Sequence, residues 1–113
     1  MLLSCDQTIK SKKQKFSIEL ENRYRNSGFA LVYQDDLQNI KKLEARSLNI
    51  YHKSLKKKSI VKITNPVNQK YLIAEVKSNR VKFSNFFNSV LSLRIAEELE
   101  LDLKEPYVEI ILV

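Results

Sequence analysis

Carboxylates are the side chains of this sequence that could carry acid–base chemistry, and two groups of them stand out. Glu75 lies in a predicted strand, and Asp35 and Asp36 form an adjacent pair. A carboxyl group acts as a general acid only when its surroundings raise its pKa toward neutrality. Neighbouring residues point apart on a helix or strand, so the aspartate pair fits a helix cap or loop better than a joint acid or metal site. For Glu75, an exposed strand residue that balances Lys62 or Lys77 is the simpler alternative.

The chain has few residues of the types that commonly bind transition metals, with one cysteine, Cys5, and one histidine, His52. A single cysteine excludes an intramolecular disulfide and any metal site built on paired cysteines. Zinc sites need three or four ligands of this kind, so we expect no metal and no other cofactor. Two interpretations of His52 stay open, a residue that lines a groove or a packed and hydrogen-bonded histidine.

The net charge indicates which classes of partner the protein could bind. The 113 residues carry a net charge of +7, which favours nucleic acid, acidic lipid or acidic cell-wall polymer. Most of the excess is lysine rather than arginine, and lysine alone makes an unspecific patch, so we favour a solvated lysine-rich surface. The length allows one domain, and no apolar run approaches the roughly 20 residues of a membrane-spanning helix.

The middle of the chain predicts a β-hairpin. Residues 59–64 alternate with β-branched side chains, and residues 71–77 form the return strand. The segment 65–69 predicts a turn, in which Pro66 fixes φ and Asn68 can take a left-handed conformation. The face of the return strand opposite to Glu75 holds Leu72, Ala74 and Val76.

Upstream of the hairpin the signals are weaker. Gly28, the only glycine, marks a place where the backbone turns or is closely approached, and residues 29–33 after it predict a buried strand. Residues 36–43 can form one or two helical turns, with Asp35 or Asp36 as the cap.

Downstream of the hairpin, a polar loop contains three phenylalanines that we expect to pin it to the core: Phe83, Phe86 and Phe87. Ser92 then predicts the cap of a helix over residues 93–100, whose apolar stripe is Ile95, Ala96 and Leu99. Residues 107–113 are apolar at nearly every position, which suits a strand buried on both faces. The order of elements predicts a mainly β protein with one helix.

Three groups of residues recur in a familiar order along the chain. They are Gly28-Phe-Ala30-Leu-Val-Tyr33, then Tyr51-His52-Lys53-Ser54-Leu55, then Ile60-Val61-Lys62-Ile63-Thr64-Asn65. Together with the Leu91-Ser92 helix start and the closing Val108-Glu-Ile-Ile-Leu112, they resemble the barrel domain of rare lipoprotein A, a family of septal peptidoglycan lytic transglycosylases. The match spans about three-quarters of the chain.

This resemblance implies a small six-stranded double-psi β-barrel, mainly β, with one short α-helix before the last strand. The barrel domain is then expected over residues 16–113, after a flexible leader at 1–15. The resemblance also places His52, Arg80 and Tyr33 along the groove that takes a glycan strand of peptidoglycan. We expect the domain to act as a monomer.

The N-terminus adds a second resemblance. Leu2-Leu3-Ser4-Cys5 is similar to the lipobox at which a lipoprotein signal is cut and its cysteine acylated. If the start of translation lies upstream of Met1, Cys5 is the expected lipidation site and the protein is a membrane-anchored lipoprotein of the periplasm. The open alternative is a cytoplasmic protein whose first residues happen to include a cysteine.

The sequence differs from the family at the two positions where the family has its catalytic aspartates. The family has one aspartate after the return strand and another before the helix, and here Asn79 and Val90 stand in those positions. An amide can donate and accept hydrogen bonds but cannot transfer a proton. Glu75 matches an acidic position of some family members and is the best remaining acid.

Three hypotheses follow. The first is a cell-envelope barrel that binds peptidoglycan glycan strands, with catalysis lost or weak. The second is an active endolytic lytic transglycosylase that uses Glu75, or an acid of the Asp35–Asp36 pair. The third is a basic cytoplasmic barrel that binds nucleic acid, and we rank it last because no stacking aromatic lies among the lysines at 53 and 56–58.

Overall fold

The chain from Tyr24 onward builds a sheet of seven strands and one short helix in the computed structural model, which describes residues 24–113. The predicted leader, the predicted start of the barrel domain at residue 16 and the lipobox cysteine, Cys5, lie outside the described residues. In chain order the elements are β1 (Arg25–Phe29), β2 (Leu31–Val32), β3 (Asn49–His52), β4 (Ile60–Thr64), β5 (Tyr71–Ser78), β6 (Ser89–Leu91), α1 (Leu93–Glu98) and β7 (Tyr107–Leu112).

The predicted hairpin is confirmed, with β4 and β5 antiparallel on either side of the turn at 65–69. Ala74 and Val76 are buried while Ile73 and Glu75 are exposed, as the alternation along β5 predicts. The left-handed residue of the turn is Gln69, with φ of 65°, rather than Asn68.

The sheet closes on itself at Ala30. Its strand order is β1-β7-β4-β5-β3-β6-β2, and the two outermost strands are consecutive in the chain, with only Ala30 between them. The N–H of Ala30 donates to the carbonyl of Pro106 at 2.8 Å, and the N–H of Asn88 donates to the carbonyl of Phe29 at 2.8 Å. The first bond extends the pairing of β1 with β7, and the second joins the end of β1 to the residue before β6, so the sheet forms a nearly closed barrel.

The mainly β barrel with one short helix before its last strand is therefore confirmed. The count of strands differs, with seven in the described residues against six expected, because the predicted single strand 29–33 is divided at Ala30. One part of that segment pairs with β7 and the other with β6, so the two parts lie on opposite edges of the sheet.

Two apolar clusters fill and flank the barrel. The larger one contains the inward-facing side chains of the strands together with α1, and Ile50, Val61, Val76 and Ile110 are each fully buried in it. The smaller one lies under the connection between β2 and β3, where Leu43 is 1% exposed and packs with Tyr33, Tyr51 and Val90.

The helix is built as predicted but is shorter. The Oγ atom of Ser92 accepts the N–H of Ile95 at 3.3 Å, and Ile95, Ala96 and Leu99 are buried. The helix ends at Glu98 because Glu100 takes a left-handed φ of 52°, a conformation that commonly ends helices. Within residues 24–113, none of the helical structure is long and apolar enough to cross a membrane.

Three local predictions were wrong. Residues 36–43 form turns rather than a helix, because Leu37, Ile40 and Leu43 turn toward the smaller apolar cluster, and Asp35 and Asp36 therefore cap no helix. Gly28 lies inside β1 rather than at a turn, and Asn88 is only at ordinary contact distance, 3.4 Å from where a Cβ would stand. The last strand is not buried on both faces, since Val108 and Ile110 are buried but Tyr107 faces outward with 38% exposure.

The buried amide of Asn65 connects the hairpin to the end of the helix. Its Nδ2 donates to the carbonyl of Leu99 at 2.9 Å and its Oδ1 accepts the N–H of Val67 at 3.0 Å. Its side chain is one of few buried polar groups in the described residues, and it satisfies a carbonyl that the helix leaves without a partner.

Replacing Asn65 with alanine is expected to lower the free energy of unfolding by about 1–3 kcal/mol, because the carbonyl of Leu99 loses the buried one of its two donors and the N–H of Val67 loses its acceptor. Denaturant titration of the purified chain measures the change. Asn68→Ala is the matched control, since Asn68 also donates to Leu99, at 3.1 Å, but is exposed and water can replace it. An equal loss of unfolding free energy in the two variants would contradict the stabilising role of the buried Asn65 amide.

Candidate functional site

Two clefts lie on either side of the segment that follows β3. The first, here called the amide cleft, has a volume of about 340 Å³ and is bordered by β1, the end of β3 and the loop before β6. Its polar lining comes from Tyr24, Asn26, Ser27, His52, Lys53, Ser54, Asn85 and Asn88. Amide and hydroxyl groups of this kind both donate and accept hydrogen bonds, so they suit a ligand rich in hydroxyl groups.

His52 is buried at the base of the amide cleft, with 1% exposure. Its Nδ1 accepts the N–H groups of Ser54 and Leu55, both at 3.0 Å, so the proton of the neutral ring is on Nε2. Nε2 then donates to the hydroxyl of Tyr24 at 2.9 Å. His52 is therefore a packed and hydrogen-bonded histidine that also lines this cleft, and its place in a glycan-binding groove stays a prediction.

This arrangement keeps His52 neutral and Tyr24 protonated. Burial, with the ammonium of Lys53 beside the ring, lowers the pKa of His52 from 6.5 to about 4. Burial also raises the pKa of Tyr24 above its ordinary value of 10. Since the oxygen of Tyr24 accepts a hydrogen bond from the imidazole, its own proton is available to donate to a ligand in the cleft.

Aromatic rings extend the amide cleft onto the outer surface of the barrel. Phe86 lines the cleft, is 67% exposed and stacks on Phe29 with their ring planes 7° apart. Phe29 in turn meets Tyr107 edge to face, and Phe87 meets Phe86 in the same way. The prediction that Phe86 pins the loop to the core is wrong, because the ring packs on an outward-facing neighbour and keeps most of its surface in water.

The second cleft, here called the lysine cleft, has a volume of about 550 Å³. Its charged lining consists of Lys41, Lys56, Lys57, Lys77 and Arg80. Tyr51, Ser78 and Asn79 complete it, and the hydroxyl of Tyr51 is already used, donating to the carbonyl of Lys42 at 2.7 Å.

Asn79 stands between the two clefts. Its Nδ2 approaches the carbonyl of Ser54 at 3.5 Å, the long limit of a hydrogen bond, and Ser54 lines the amide cleft on the other side. The N–H of Arg80 donates to the Oγ of Ser78 at 3.0 Å, so a side chain fixes the bend that presents Asn79 and Arg80. Two of the predicted site residues, His52 and Arg80, thus belong to neighbouring clefts with Asn79 at their shared wall.

The remaining predicted residues lie elsewhere. Tyr33 is 7% exposed and Val90 is fully buried, and both belong to the smaller apolar cluster rather than to a cleft. Glu75 is exposed on β5, in register with Ile60 of β4, and lines neither cleft. Asp36 borders a third and separate depression next to Leu37 and Pro106.

Neither cleft has an aspartate or glutamate among the described residues that line it. Residues 24–113 also contain no group of three histidine, cysteine or acidic side chains placed to hold a metal ion. The two surfaces can therefore offer hydrogen bonds, aromatic contact and positive charge, but no carboxyl group that could protonate a leaving oxygen.

No family model and no curated protein matches this sequence. Among solved structures, the chain is similar to the computationally designed protein msDPBB_sym2, with a TM-score of 0.59 and 12% sequence identity. The similarity covers 80% of this chain and 100% of the designed one. The chain has the double-psi β-barrel fold. Similarity at this level of identity shows the fold alone, so membership of the rare lipoprotein A family stays a prediction.

Sequence reasoning missed most of the lining of both clefts. The amides of Asn85 and Asn88 were visible as a polar stretch near the phenylalanines, but Tyr24 and Asn26 lie 59 or more positions away from that stretch and carry no motif. Lys77 was taken as a partner for Glu75, which lies two residues away on the same face of β5, but Lys77 lines the lysine cleft and Glu75 does not.

Because the folded-state pKa of His52 is below its unfolded value, the unfolded chain binds the proton first as the pH falls. This stabilising contribution is therefore complete above pH 6.5 and is lost between about 6.5 and 4. His52→Asn keeps an oxygen near the Nδ1 position but cannot titrate. Between pH 7 and 4.5 we expect the free energy of unfolding of the native protein to fall by about 2 kcal/mol more than that of the variant.

Denaturant titrations at several pH values measure this difference, and carboxylates affect both proteins alike. Because the chain has one histidine, its ring resonances also report the titration and the Nε2 proton directly by NMR. Parallel pH dependences in the two proteins, or a ring that titrates near 6.5, would show that His52 is not held neutral.

Proposed function

We propose that this barrel binds glycan strands of peptidoglycan in the amide cleft and does not cleave them. The observation that carries the proposal is the composition of the cleft, whose described lining combines amides, hydroxyls, one lysine and an exposed aromatic ring without a carboxylate. Amides and hydroxyls match the hydroxyl and acetamido groups of amino sugars, and the face of Phe86 can pack against the C–H face of a pyranose ring. The motif resemblance to rare lipoprotein A supplies the choice of glycan.

Cleavage without water requires a carboxyl group that first protonates the glycosidic oxygen and then acts as a base. The two family positions support the absence of this chemistry, since Asn79 carries an amide and Val90 is buried among apolar side chains. Glu75 remains the alternative acid of the enzyme hypothesis, but it is exposed on the outer side of β5 and lines neither cleft.

The proposal implies the cell envelope as the compartment. An acylated Cys5 would then tether the barrel to a membrane facing the peptidoglycan, with the intervening residues as a spacer. Mass spectrometry of the protein from its native cell tests this part, because a diacylglyceryl group on Cys5 supports it and an unmodified cysteine opposes it.

Replacing Phe86 with alanine is expected to weaken binding to glycan strands stripped of their peptides by roughly five- to tenfold, as for a central aromatic contact. Calorimetric titration with soluble strands measures the affinity. Tyr71→Ala is the matched control, because Tyr71 is an exposed aromatic, at 61%, on the hairpin and lines neither cleft. Equal affinity of the two variants would place the glycan elsewhere.

Incubation of the full chain with purified sacculi is expected to release no anhydro-muropeptides above the level of a heat-denatured sample. Mass spectrometry of the soluble products makes the measurement. Robust release would overturn the non-catalytic proposal, and its loss in Glu75→Gln would assign the acid to Glu75. Release that persists in Glu75→Gln would direct attention to Asp35 and Asp36.

A further inference from the structure

We infer that the lysine cleft binds the acidic stem peptide that branches from a glycan strand held in the amide cleft. This inference rests on the proposed function for the identity of the strand. It assigns to the cluster of cations a ligand class, a peptide with several free carboxylates, and a place next to the sugar.

The first support is that no ion pair among the described residues neutralises the positive charge of the lysine cleft. Five cationic side chains converge on one cleft that no described carboxylate lines. The ion pairs of residues 24–113 are Lys42–Glu44, Arg46–Glu97, Lys70–Glu100 and Arg94–Glu98, and none of them includes a cation of this cleft. Like charges held close together repel one another, so such a cluster is relieved by an anionic ligand.

The second support is that the scaffold fixes the cluster. Lys58 has a φ of 74°, and its N–H donates to the carbonyl of Val76 at 2.7 Å. The N–H of Val76 in turn donates to the carbonyl of Ser59 at 2.8 Å. The turn that carries Lys56 and Lys57 is thereby hydrogen-bonded to the strand that carries Lys77, which holds these cations at one place.

The third support is continuity with the amide cleft. Asn79 lines the lysine cleft and its Nδ2 lies 3.5 Å from the carbonyl of Ser54, which lines the amide cleft, so the linings of the two clefts are in contact and a branched ligand could reach both. A stem peptide is attached to the sugar through an ether-linked acid and carries carboxylates and amides along its length. Lysine and arginine suit the carboxylates, while Ser78 and Asn79 can bond to the peptide groups.

The same features oppose a nucleic acid in this cleft. Among the described residues that line it, Tyr51 is the one aromatic residue, and it is fully buried and donates its hydroxyl within the protein, so this lining exposes no ring for a base to stack on. The lining contains one arginine, the residue best suited to bidentate phosphate contacts, against four lysines.

The test compares the binding of the full chain to glycan strands that carry stem peptides, to strands stripped of them, to the free stem peptide and to a single-stranded oligonucleotide. We expect the peptide-bearing strands to bind roughly five- to tenfold tighter than the stripped ones. This preference should fall as salt rises, because the additional contacts are ionic. It should disappear in the double variant Lys77→Gln/Arg80→Gln, while binding of stripped strands stays unchanged.

The control variant is Arg46→Gln/Lys104→Gln, which removes the same charge from exposed positions outside both clefts. It should retain the preference. All four substituted side chains are at least partly exposed, and thermal unfolding confirms that each variant is folded.

The outcomes separate this inference from the proposed function. Equal affinity for the two kinds of strand overturns the inference and leaves glycan binding intact. Binding of the peptide-bearing strands alone, with dependence on Lys77 and Arg80, supports the inference for the peptide and overturns glycan recognition by the amide cleft. Tighter, Lys77-dependent binding of the oligonucleotide overturns the inference in favour of nucleic acid.

Discussion

The hydrogen bonds that His52 accepts and donates fix the course of the chain between the two clefts. The imidazole ends β3, accepts hydrogen bonds from two backbone N–H groups of the following residues at Nδ1 and donates one from Nε2 to the hydroxyl of Tyr24. A charged ring would lose both backbone donors, so burial and these bonds together require the neutral form. The shape of both clefts therefore depends on one ring whose protonation the barrel opposes.

The barrel makes this position possible because its closure at Ala30 brings distant parts of the chain together. The strand that begins beside Tyr24 lies next to the loop before β6, and β3 lies between β5 and β6 in the sheet. Parallel pairing of β3 with β5 places their ends at the same side of the barrel, where His52 and Asn79 meet through Ser54. The clefts are consequences of this topology and not of any single loop.

Charge and hydrogen-bonding groups are separated between the clefts. The amide cleft contains neutral donors and acceptors with one cationic residue, Lys53, whose ammonium is already bound to the carbonyl of Phe83 and the side chain of Asn85. The lysine cleft is lined by four lysines and one arginine of the described residues. The proposed ligand has a matching division into a polar neutral glycan and an acidic peptide, and no aspartate or glutamate stands among the described residues that line either cleft.

The sequence by itself determined the elements whose signals are local. The alternation along residues 60–76, the cap at Ser92 and the apolar stripe of the helix predicted the hairpin, the helix and the barrel class, because side-chain direction follows directly from the period of each element. Local propensity failed at residues 36–43, where contact with the barrel replaced the helical turns. Only the tertiary structure decided which residues line the clefts. The hydroxyl of Tyr24 bonds to His52, which is 28 positions away in the sequence. Lys41, between β2 and β3, lines the same cleft as Lys77 of β5. Convergence of this kind depends on strand order and closure, which no short stretch of sequence encodes.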